Sequence, residues 1–545
     1  MRVRLAVYAL VFVLGAGAAA LVTSPGMVVT PDGGQYLAAA SNIASGRGVT
    51  SPIVPETTDV GAREQLLARG RMPFTEWPPV YPTAVAAVSE LGMSPVGAAR
   101  LLNVLAVGAT AALVVAVVEL LAGSLAGGVA VAVAVMCGPV VAGYTPLQSV
   151  NVLDQSVFVL AESLFLPLVL GALLAGGSSM AGGRRRFRLA LVLVVVATLV
   201  RFVGLAAGAA LAVAVVLAPS TRGRRARPAA AALLSGPVAV LAWMLVRNVL
   251  WGAGPTKALG WHPPGTRRTG GLVDVTAGWF GMQPGVADWL RVLVVVAVAV
   301  AATAVVVAPR VRSVVIGSRL DEPARLGVAV AMAAFVWVYP LVVLASVALV
   351  DVNVPLDQRV LGPAGVVLVV LLGALVVAAV ANRWPAQAAW LPASVAATLA
   401  LVVALAGTSG LADVHRAHTA AVDNALRRAA QSPVGKLPAA DVVFSNRPGD
   451  LYADIGRPSL LLPPMVDLST GRRNGSFPRE LGVVTGLLSQ NPGVVVVFRD
   501  LAPGAPDLSA ALGLAGLVEV GTCADDLRAF TDRRWVERVA AAQPC

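Results

Sequence analysis

Long apolar segments separated by short polar ones make up the first three quarters of the chain. A helix that crosses a bilayer needs about 20 apolar residues, and segments near this length recur as far as residue 407. The pattern predicts eleven transmembrane helices, at 5–23, 96–121, 125–143, 157–177, 189–203, 205–218, 229–248, 289–308, 326–349, 359–381 and 387–407. The expected fold class is therefore an α-helical polytopic membrane protein.

One predicted pair of helices is unusually short. Between the basic runs that end at Arg188 and begin at Arg222 lie 33 residues. As one straight helix they would span about 50 Å, which is too long for a hydrocarbon core of about 30 Å. Both basic runs also favour the same membrane side. The segment is therefore expected to fold back on itself, with its turn near Arg201–Gly204 and Arg201 at the apex.

The pattern changes after Gly407, where charged residues of both signs become evenly spread. The apolar runs "DVVFS" (441–445) and "GVVVVF" (493–498) are typical of buried strands. The segments "RELGVVTGLLSQ" (479–490) and "CADDLRAFTDRRWVERVAA" (523–541) favour amphipathic helices. The sequence thus predicts a membrane domain over 1–410 and a small α/β domain over 411–545.

Composition and charge support the membrane assignment and bear on the partners. Of the 545 residues, 57% are hydrophobic and 13% are charged, and the mean hydropathy is +0.80. The net charge of +12 raises nucleic acid as a partner. The basic runs, however, lie between apolar segments, where cytoplasmic loops carry excess Lys and Arg. Membrane lipids are therefore the expected partners, and nucleic acid is not.

The same charges predict how the chain crosses the cell membrane. "MRVR" at the start favours a cytoplasmic N-terminus, and the alternation of helices then places the arginine-rich loops inside. The loops at 24–95, 144–156, 249–288 and 350–358 fall outside, with seven Lys or Arg against eleven Asp or Glu. The C-terminal domain is expected to be extracytoplasmic. A cleaved signal peptide is the alternative for the first segment, which ends in small residues.

Cysteine and histidine are too sparse to predict a site by themselves. Cys523 and Cys545 lie in the expected extracytoplasmic domain, where a disulfide and two free thiols both remain open. Cys137 falls within a predicted helix and is expected to be a small core residue. The three histidines are too scattered for a metal site; they are His262, His415 and His418.

Polar residues with usable chemistry collect on the predicted outer side. Ionisable groups near a bilayer are costly to desolvate and are usually paired or functional. In the first outer loop they are Asp32, Tyr36, Glu76, Trp77 and Tyr81. Later in the chain they are Asp154, Glu162, Arg247, Asn248 and Arg359.

Five motifs occur in an order that resembles a known enzyme class. They are "PDGGQYLAAASNIASGRG", "FTEWPPVYPTAVA", "LAESLFLPLVL", "LVRNVLWGAGP" and "QRVLGP". Over about residues 1–410 the chain resembles the GT-C-type glycosyltransferases, which include protein O-mannosyltransferases and aminoarabinose transferases. The resemblance implies transfer of a sugar from a polyprenyl phosphate to an acceptor hydroxyl of a glycan, lipid or protein. Arginine-rich, lysine-poor composition further suggests an actinobacterium, for which decaprenyl phosphate is the natural carrier.

The resemblance also implies roles for individual residues. It assigns Asp32 and Glu162 to catalysis. Asp32 is followed by glycine where many members have a second acid, which puts a metal-binding role in doubt, although a divalent cation remains open. Substrate binding is implied for Tyr36, Glu76, Asp154, Arg201, Arg247 and Arg359. Arg201 is expected to contact the donor phosphate, with Arg247 or Arg359 as a second contact, because guanidinium groups suit phosphate by charge and by geometry.

Structural explanations stand beside these roles. Asp32 is also a favoured residue for capping a helix that begins near Gly33. Glu162 can be an interfacial charge at a helix start, and the arginines can be interfacial anchors. At the level of the whole chain, a transporter or lipid flippase and a non-catalytic membrane scaffold are the competing functions. The clustering of acids on one face, and not near the midplane, favours the transferase over the transporter.

Overall fold

The computed structural model describes most of the membrane part and the sheet of the C-terminal part. The described residues are 2–53, 71–75, 77–137, 152–217, 226–250, 261, 266–279, 282, 286–349, 354, 356–383, 419, 433–438, 441–465, 473–498, 508–522 and 527–541. The predicted helix at 387–407, Glu76, Cys523, Cys545 and the three histidines lie outside them.

The described residues up to 383 are mostly helical. Its helices are α1 (Arg2–Val22), α2 (Pro31–Ala44), α3 (Val80–Ser89), α4 (Pro95–Ala122), α5 (Leu125–Cys137), α6 (Val152–Ser156), α7 (Glu162–Ser179), α8 (Arg184–Val200), α9 (Leu205–Leu217), α10 (Ala226–Leu250), α11 (Thr266–Gly278), α12 (Asp288–Val307), α13 (Pro309–Ile316), α14 (Pro323–Leu349) and α15 (Gln358–Arg383). A two-stranded ribbon in the first long loop pairs β1 (Thr50–Ser51) with β2 (Met72–Pro73).

Length and composition identify the helices that can cross a membrane. In the described part of the chain, seven are long and apolar enough: α1, α4, α7, α10, α12, α14 and α15. Shorter apolar helices include α3, α5 and the segment ending with α9. Ten of the eleven predicted segments coincide with helices among the described residues, so the expectation of an α-helical polytopic membrane protein is confirmed.

The predicted helix at 157–177 begins five residues too early. Val28 and Phe158 form a parallel bridge, in which the Val28 amide donates to the Val157 carbonyl at 2.9 Å. The Val159 amide in turn donates to the Val28 carbonyl at 3.0 Å. Because these backbone groups are satisfied by a distant strand-like segment, the helix starts only at Glu162. The bridge places side by side the two chain segments that lead to Asp32 and to Glu162.

The predicted fold-back between the basic runs is confirmed. Helix α8 ends at Val200, Arg201 is extended (φ −148°, ψ 134°), and a single 3₁₀ turn leads into α9. A Cβ added to Gly204 would lie 2.4 Å from the Thr198 amide nitrogen. Only glycine allows this close approach of the turn to the end of α8. The two helices therefore reverse direction within the membrane part, with Arg201 at the apex.

Small residues bring membrane helices into backbone contact. A Cβ on Gly177 of α7 would lie 2.4 Å from the Val328 Cα of α14, and one on Gly327 would lie 2.3 Å from the Gly177 carbonyl oxygen. Helices in a bilayer gain little from burying apolar surface against each other, and they associate through close packing at small residues. The α7–α14 crossing follows this pattern, and it fixes the long helix that Glu162 begins.

The C-terminal part contains a five-stranded sheet. Its strands are β3 (Val442–Ser445), β4 (Leu460–Leu461), β5 (Gly493–Phe498), β6 (Val518–Thr522) and β7 (Leu527–Thr531), in the spatial order β4-β3-β5-β7-β6. Helices α16 (Pro448–Ile455), α17 (Phe477–Gln490), α18 (Leu508–Leu514) and α19 (Val536–Ala541) accompany it. Alternate residues of β5 enter two different apolar clusters. Both faces of the central strand are thus buried, which explains its unbroken valine run.

The predicted helix at 523–541 is wrong over most of its length. Leu527–Thr531 form β7, which pairs antiparallel with β5 and with β6. The helix α19 covers only Val536–Ala541. Leu527, Ala529 and Phe530 are almost fully buried against the sheet. Pairing with two distant strands therefore overrides the local amphipathic pattern, as tertiary context often does.

Candidate active site at one end of the membrane helices

Two helix starts are positioned next to each other by the bridge between Val28 and Phe158. The buried side chain of Asn103 in α4 strengthens this bridge, because its amide nitrogen donates to the Ser156 and Phe158 carbonyls at 3.1 and 2.8 Å. Helix α2, with Asp32, leaves one bridging segment, and α7, with Glu162, leaves the other. Asp32 and Glu162, the two acids that the resemblance assigns to catalysis, are thereby brought to the same end of the bundle.

Asp32 is not the cap of its helix. The N-cap is Thr30, whose Oγ1 accepts a hydrogen bond from the Gly33 amide at 3.1 Å, and the helix already includes Pro31. The capping role considered for Asp32 is therefore wrong, and Pro31–Gly34 form the first helical turn. An acid in this turn complements the positive end of the helix dipole. The Asp32 side chain is 39% exposed.

The two glycines after Asp32 are required by packing. A Cβ on Gly33 would lie 2.6 Å from the Val159 carbonyl oxygen. A Cβ on Gly34 would lie 2.0 Å from the carbonyl oxygen of Gly449, which belongs to α16. The second acid that many GT-C-type enzymes have after the first would find no space at Gly33 in this chain. The C-terminal part rests directly on the helix that carries Asp32.

Arg359 is held between two carboxylates at the start of α15. Its Nε donates to Asp357 Oδ2 at 2.9 Å, and its Nη1 lies 3.6 Å from Asp32 Oδ2. Asp357 also caps α15, because its Oδ1 accepts from the Val360 amide at 3.2 Å. The arginine is largely buried, with 18% of its side chain exposed. The sequence prediction included Asp32 and Arg359 but missed Asp357, whose signal is an acid directly before a predicted helix start.

Glu162 and Arg201 form a buried ion pair in the same region. The Arg201 Nη1 donates to Glu162 Oε1, and the two side chains are 20% and 6% exposed. Among the described residues, the second carboxylate oxygen, Oε2, has no hydrogen-bond partner. A buried acceptor without a partner is costly. The fold-back between α8 and α9 is what carries Arg201 to this carboxylate.

Aromatic rings form one wall beside these charges. Tyr36 is buried and its ring centroid lies 5.1 Å from that of Tyr81, in an edge-to-face arrangement. It also contacts the rings of Phe74 and Trp77, both at 6.3 Å. Burial raises the pKa of the Tyr36 phenol well above its ordinary value, although Arg201 opposes the shift. Tyr36 therefore stays protonated at neutral pH and can donate a hydrogen bond.

A second tyrosine near the pair was missed from the sequence. The hydroxyl of the fully buried Tyr339 in α14 donates to the Val360 carbonyl at 2.7 Å, and its ring packs on Phe335 and Phe165. Tyr339 interacts electrostatically with both Arg201 and Glu162. It links α14 to the start of α15. Its position within a long apolar helix gave no sign of this role.

Of the remaining predicted substrate-binding residues, Arg247 is the one whose side chain the structure describes. Arg247 in α10 donates from Nη2 to the Phe74 carbonyl and lies over the Trp243 ring at 5.8 Å. This contact ties α10 to the first long loop. Asp154 belongs to α6, but its side chain, like Glu76, is outside the described part.

Metal ligands are not gathered in the part of the chain that the structure describes. No group of three or more His, Cys, Asp or Glu side chains there has the arrangement to hold a metal ion. Asp32 and Asp357 share the guanidinium of Arg359.

The assembled groups suit one kind of chemistry. Each guanidinium has five N–H donors in a planar fork, so a carboxylate partner leaves further donors for a phosphate. Asp32 is a partly exposed carboxylate next to one of these arginines. A phosphate and a hydroxyl that loses its proton can therefore be held close together at this end of the bundle.

Comparison with solved structures supports the fold. The crystal structure of ArnT from Cupriavidus metallidurans in the apo state superposes with a TM-score of 0.60, at 15% identity, over 98% of each chain. The same protein bound to undecaprenyl phosphate gives a TM-score of 0.52 at 16% identity, over 97% of this chain and 98% of that one. No protein-family model and no curated protein matches the sequence. At this identity the likeness shows the fold, which is the GT-C-like fold that the motifs imply.

Proposed function

We propose that the chain is a GT-C-type glycosyltransferase that moves a hexose or pentose from a polyprenyl phosphate to an acceptor hydroxyl. The observation that supports it best is the convergence of Asp32, Arg359, Glu162 and Arg201 from four separate segments to one end of the membrane helices. A scaffold protein has no need to place these charges together at the cost of desolvating them. The solved structure with undecaprenyl phosphate supports a polyprenyl phosphate as the lipid that carries the sugar.

The reaction forms one bond at the anomeric carbon of the sugar and breaks another. The acceptor oxygen attacks the carbon, and the bond to the phosphate oxygen breaks, so that the lipid phosphate leaves with the electron pair. The acceptor proton passes to the Asp32 carboxylate. The transition state has oxocarbenium character, and positive side chains that face the departing phosphate lower its energy.

The geometry suggests a division of roles among the predicted residues. Arg201 and Arg359 bind the donor phosphate, and Arg247 contributes from the edge. Glu162 is buried and paired with Arg201, so we assign it to positioning Arg201, in place of the direct catalytic role expected from the sequence. Asp357 positions Arg359 in the same way. Tyr36, Glu76 and Asp154 stay proposed contacts for the sugar or the acceptor.

The setting of the reaction is also part of the proposal. The site would face the outside of the cytoplasmic membrane, and the product would be a glycan, glycolipid or glycoprotein of the cell envelope. Decaprenyl phosphate is the carrier expected if the chain is actinobacterial, with mannose or arabinose as the sugar. Residues 411–545 would form an extracytoplasmic domain over the site. Fold likeness does not determine the substrate, so each choice needs its own assay.

Asp32→Asn tests the proposed base. We expect the fold and donor binding to survive, because the side chain is partly exposed, and turnover to fall about a hundredfold or more, the scale of a lost general base. Transfer is measured with purified protein in detergent, using radiolabelled mannosyl and arabinosyl polyprenyl phosphates and cell-envelope acceptors. Donor binding is measured separately by retention of the labelled lipid.

Asp321→Asn is the matched control, since this exposed acid pairs with Arg312 at the end of α14 remote from Asp32. It should turn over like the wild type. Near-normal turnover of a well-folded Asp32→Asn variant would show that Asp32 is not the base. Movement of labelled lipid-linked sugar across proteoliposomes without acceptor would instead favour a flippase.

A further inference from the structure

A cavity of about 640 Å³ lies between the membrane helices, at the end opposite to the candidate site with Glu162 and Arg201. Its lining includes Arg4 in the first turn of α1, Ser178 in the last turn of α7 and Arg186 in the first turn of α8. Glu162, in contrast, begins α7. Ser178 is sixteen positions further along this helix, which corresponds to about 24 Å. The cavity is thus a separate site near the other membrane surface.

The walls of the cavity are apolar and reach the side of the helix bundle that faces lipid. Leucine side chains from three helices face it: Leu113, Leu120, Leu174, Leu189 and Leu193. Leu189 is 51% exposed at the side of the bundle, where a membrane protein contacts lipid. The volume lies within the range of about 300–1,000 Å³ that is usual for small-ligand sites. An acyl chain can therefore lie along this wall and continue into the bilayer.

The mouth of the cavity carries excess positive charge. Among its described lining residues, the charged ones are three arginines and one glutamate. The glutamate, Glu119, is satisfied within the protein, because Arg4 Nε lies 2.8 Å from its Oε1 and the Tyr8 hydroxyl donates to its Oε2. Arg186 and Arg325 are therefore the arginines of the lining that Glu119 does not pair with.

These two arginines come from different helices. Arg186 is exposed in the first turn of α8. Arg325 lies in the first turn of α14, 2.9 Å from an oxygen of the half-exposed Glu322. Its Nη1 also donates to the Arg319 carbonyl at 3.3 Å. A partly exposed ion pair of this kind is weak, and the guanidinium keeps further N–H donors for a better anionic partner. Basic pockets between membrane helices commonly bind anionic lipid headgroups.

We propose that this cavity binds an anionic phospholipid of the membrane, with its phosphate against Arg186 and Arg325 and an acyl chain along the leucine wall. The combination of a phosphate-binding mouth and an apolar wall matches a phospholipid better than a free anion, which has no use for the wall. The proposal does not depend on the proposed sugar transfer, because the two sites lie at opposite ends of the helices.

Photo-crosslinking of the wild-type protein tests this directly. Purified protein in neutral detergent is exposed to phosphatidylglycerol with a photoactivatable acyl chain, and the labelled peptides are mapped by mass spectrometry. We expect label to concentrate on residues 113–120, 171–178 and 189–193. Excess unlabelled phosphatidylglycerol should reduce the labelling by competition. Phosphatidylcholine, and inorganic phosphate at about 10 mM, should not reduce it. Label spread evenly over the bundle surface, or lost to inorganic phosphate alone, would overturn the proposal.

Variants distinguish specific binding at the mouth of the cavity from general attraction between basic side chains and anionic lipid. Arg186→Gln combined with Arg325→Gln should weaken phosphatidylglycerol binding about tenfold or more, since hydrogen bonds to charged groups are lost. Ala116→Trp should block the cavity without changing charge. Arg188→Gln is the control, because this exposed arginine lies two residues away in α8 and outside the lining. An equal loss of binding in the control would show that the site is not specific.

Discussion

Arg201 and Arg359 are each bound by a carboxylate within the protein. Arg201 pairs with the buried Glu162, and Arg359 lies between Asp357 and Asp32. Fixed partners hold a guanidinium in one orientation, so less side-chain freedom is lost when a phosphate binds. The carboxylates also keep the arginines from being isolated buried charges. The acids of this site therefore have two separable effects, on stability and on ligand binding.

Arg201→Ala should affect both properties. Removal of one member of a buried pair leaves the other charge uncompensated and costs about 3–5 kcal/mol, so the melting temperature should fall. The KM for the lipid donor should also rise about tenfold or more, because hydrogen bonds to a charged group are lost. Arg201→Lys keeps the charge but loses the planar fork and should show a smaller rise. Turnover kinetics and thermal unfolding in detergent measure the two effects.

The double variant Arg201→Ala with Glu162→Gln separates these effects. Without the uncompensated carboxylate, stability should recover toward that of the wild type, while the KM defect should persist. Arg188→Ala, at an exposed position of the same helix, serves as the control and should change neither quantity. If the KM of the stable double variant equals that of the wild type, Arg201 does not contact the donor.

At the scale of single residues, the sequence predicted the charged residues of the candidate site better than the side chains that hold them in place. Asp32, Glu162, Arg201 and Arg359 stood out because charges near a bilayer are costly, and the structure brings these four together. Asp357 was missed because an acid before a helix resembles an ordinary cap. Tyr339 was missed because a tyrosine in an apolar helix resembles core. Both roles depend on neighbours that are remote in sequence.

At the scale of elements, the contact between α2 and α16 joins the C-terminal part to the candidate site. Gly34 faces the Gly449 carbonyl, and a Cβ on Gly449 would lie 2.4 Å from the Pro31 carbonyl oxygen. The two helix starts therefore touch through backbone atoms, within one turn of Asp32. Any side chain here must separate the helices, since backbone cannot move aside as a side chain can.

Gly34→Ala should therefore displace α16 and disturb Asp32. Overpacking of a tight contact costs about 1–3 kcal/mol, and we expect a lower melting temperature together with lower transfer. Gly449→Ala should act in the same direction. Gly482→Ala in α17 is the control, because its Cβ would meet no atom within 4 Å and alanine favours a helix. Wild-type stability and turnover in both contact variants would mean that this docking does not matter for the site.

Elements were predictable where local length and charge decided them. The α8–α9 fold-back followed from 33 residues between two basic runs, and the structure confirms it. Strand β7 was not predictable, because its residues become a strand only by pairing with β5 and β6. The early start predicted for α7 failed for the same reason, since the Val28 bridge uses the preceding residues. Pairing between distant segments, absent from the local pattern, decided both cases.

At the scale of the whole molecule, the two ends of the bundle differ in chemistry. One end gathers carboxylates with Arg201 and Arg359 and bears the C-terminal part through α16. The other end has Arg4, Arg186 and Arg325 around an apolar cavity. Cytoplasmic loops carry the excess of Arg and Lys in membrane proteins. By this rule we predict that the end with these arginines is cytoplasmic and that the candidate site faces outward.

Cysteine labelling in intact cells tests this orientation. In a background with Cys137, Cys523 and Cys545 replaced, single cysteines are introduced at residues 185, 224 and 319 and, separately, at Arg479 on α17. Because the arginine-rich loops are predicted to be cytoplasmic, a membrane-impermeant maleimide should label only position 479, and the other three only after permeabilisation. Arg185 and Arg479 are both exposed, so burial does not account for the difference between them. Labelling at 224 in intact cells would reverse the topology and place Asp32 in the cytoplasm, where a donor delivered to the outer surface could not reach it.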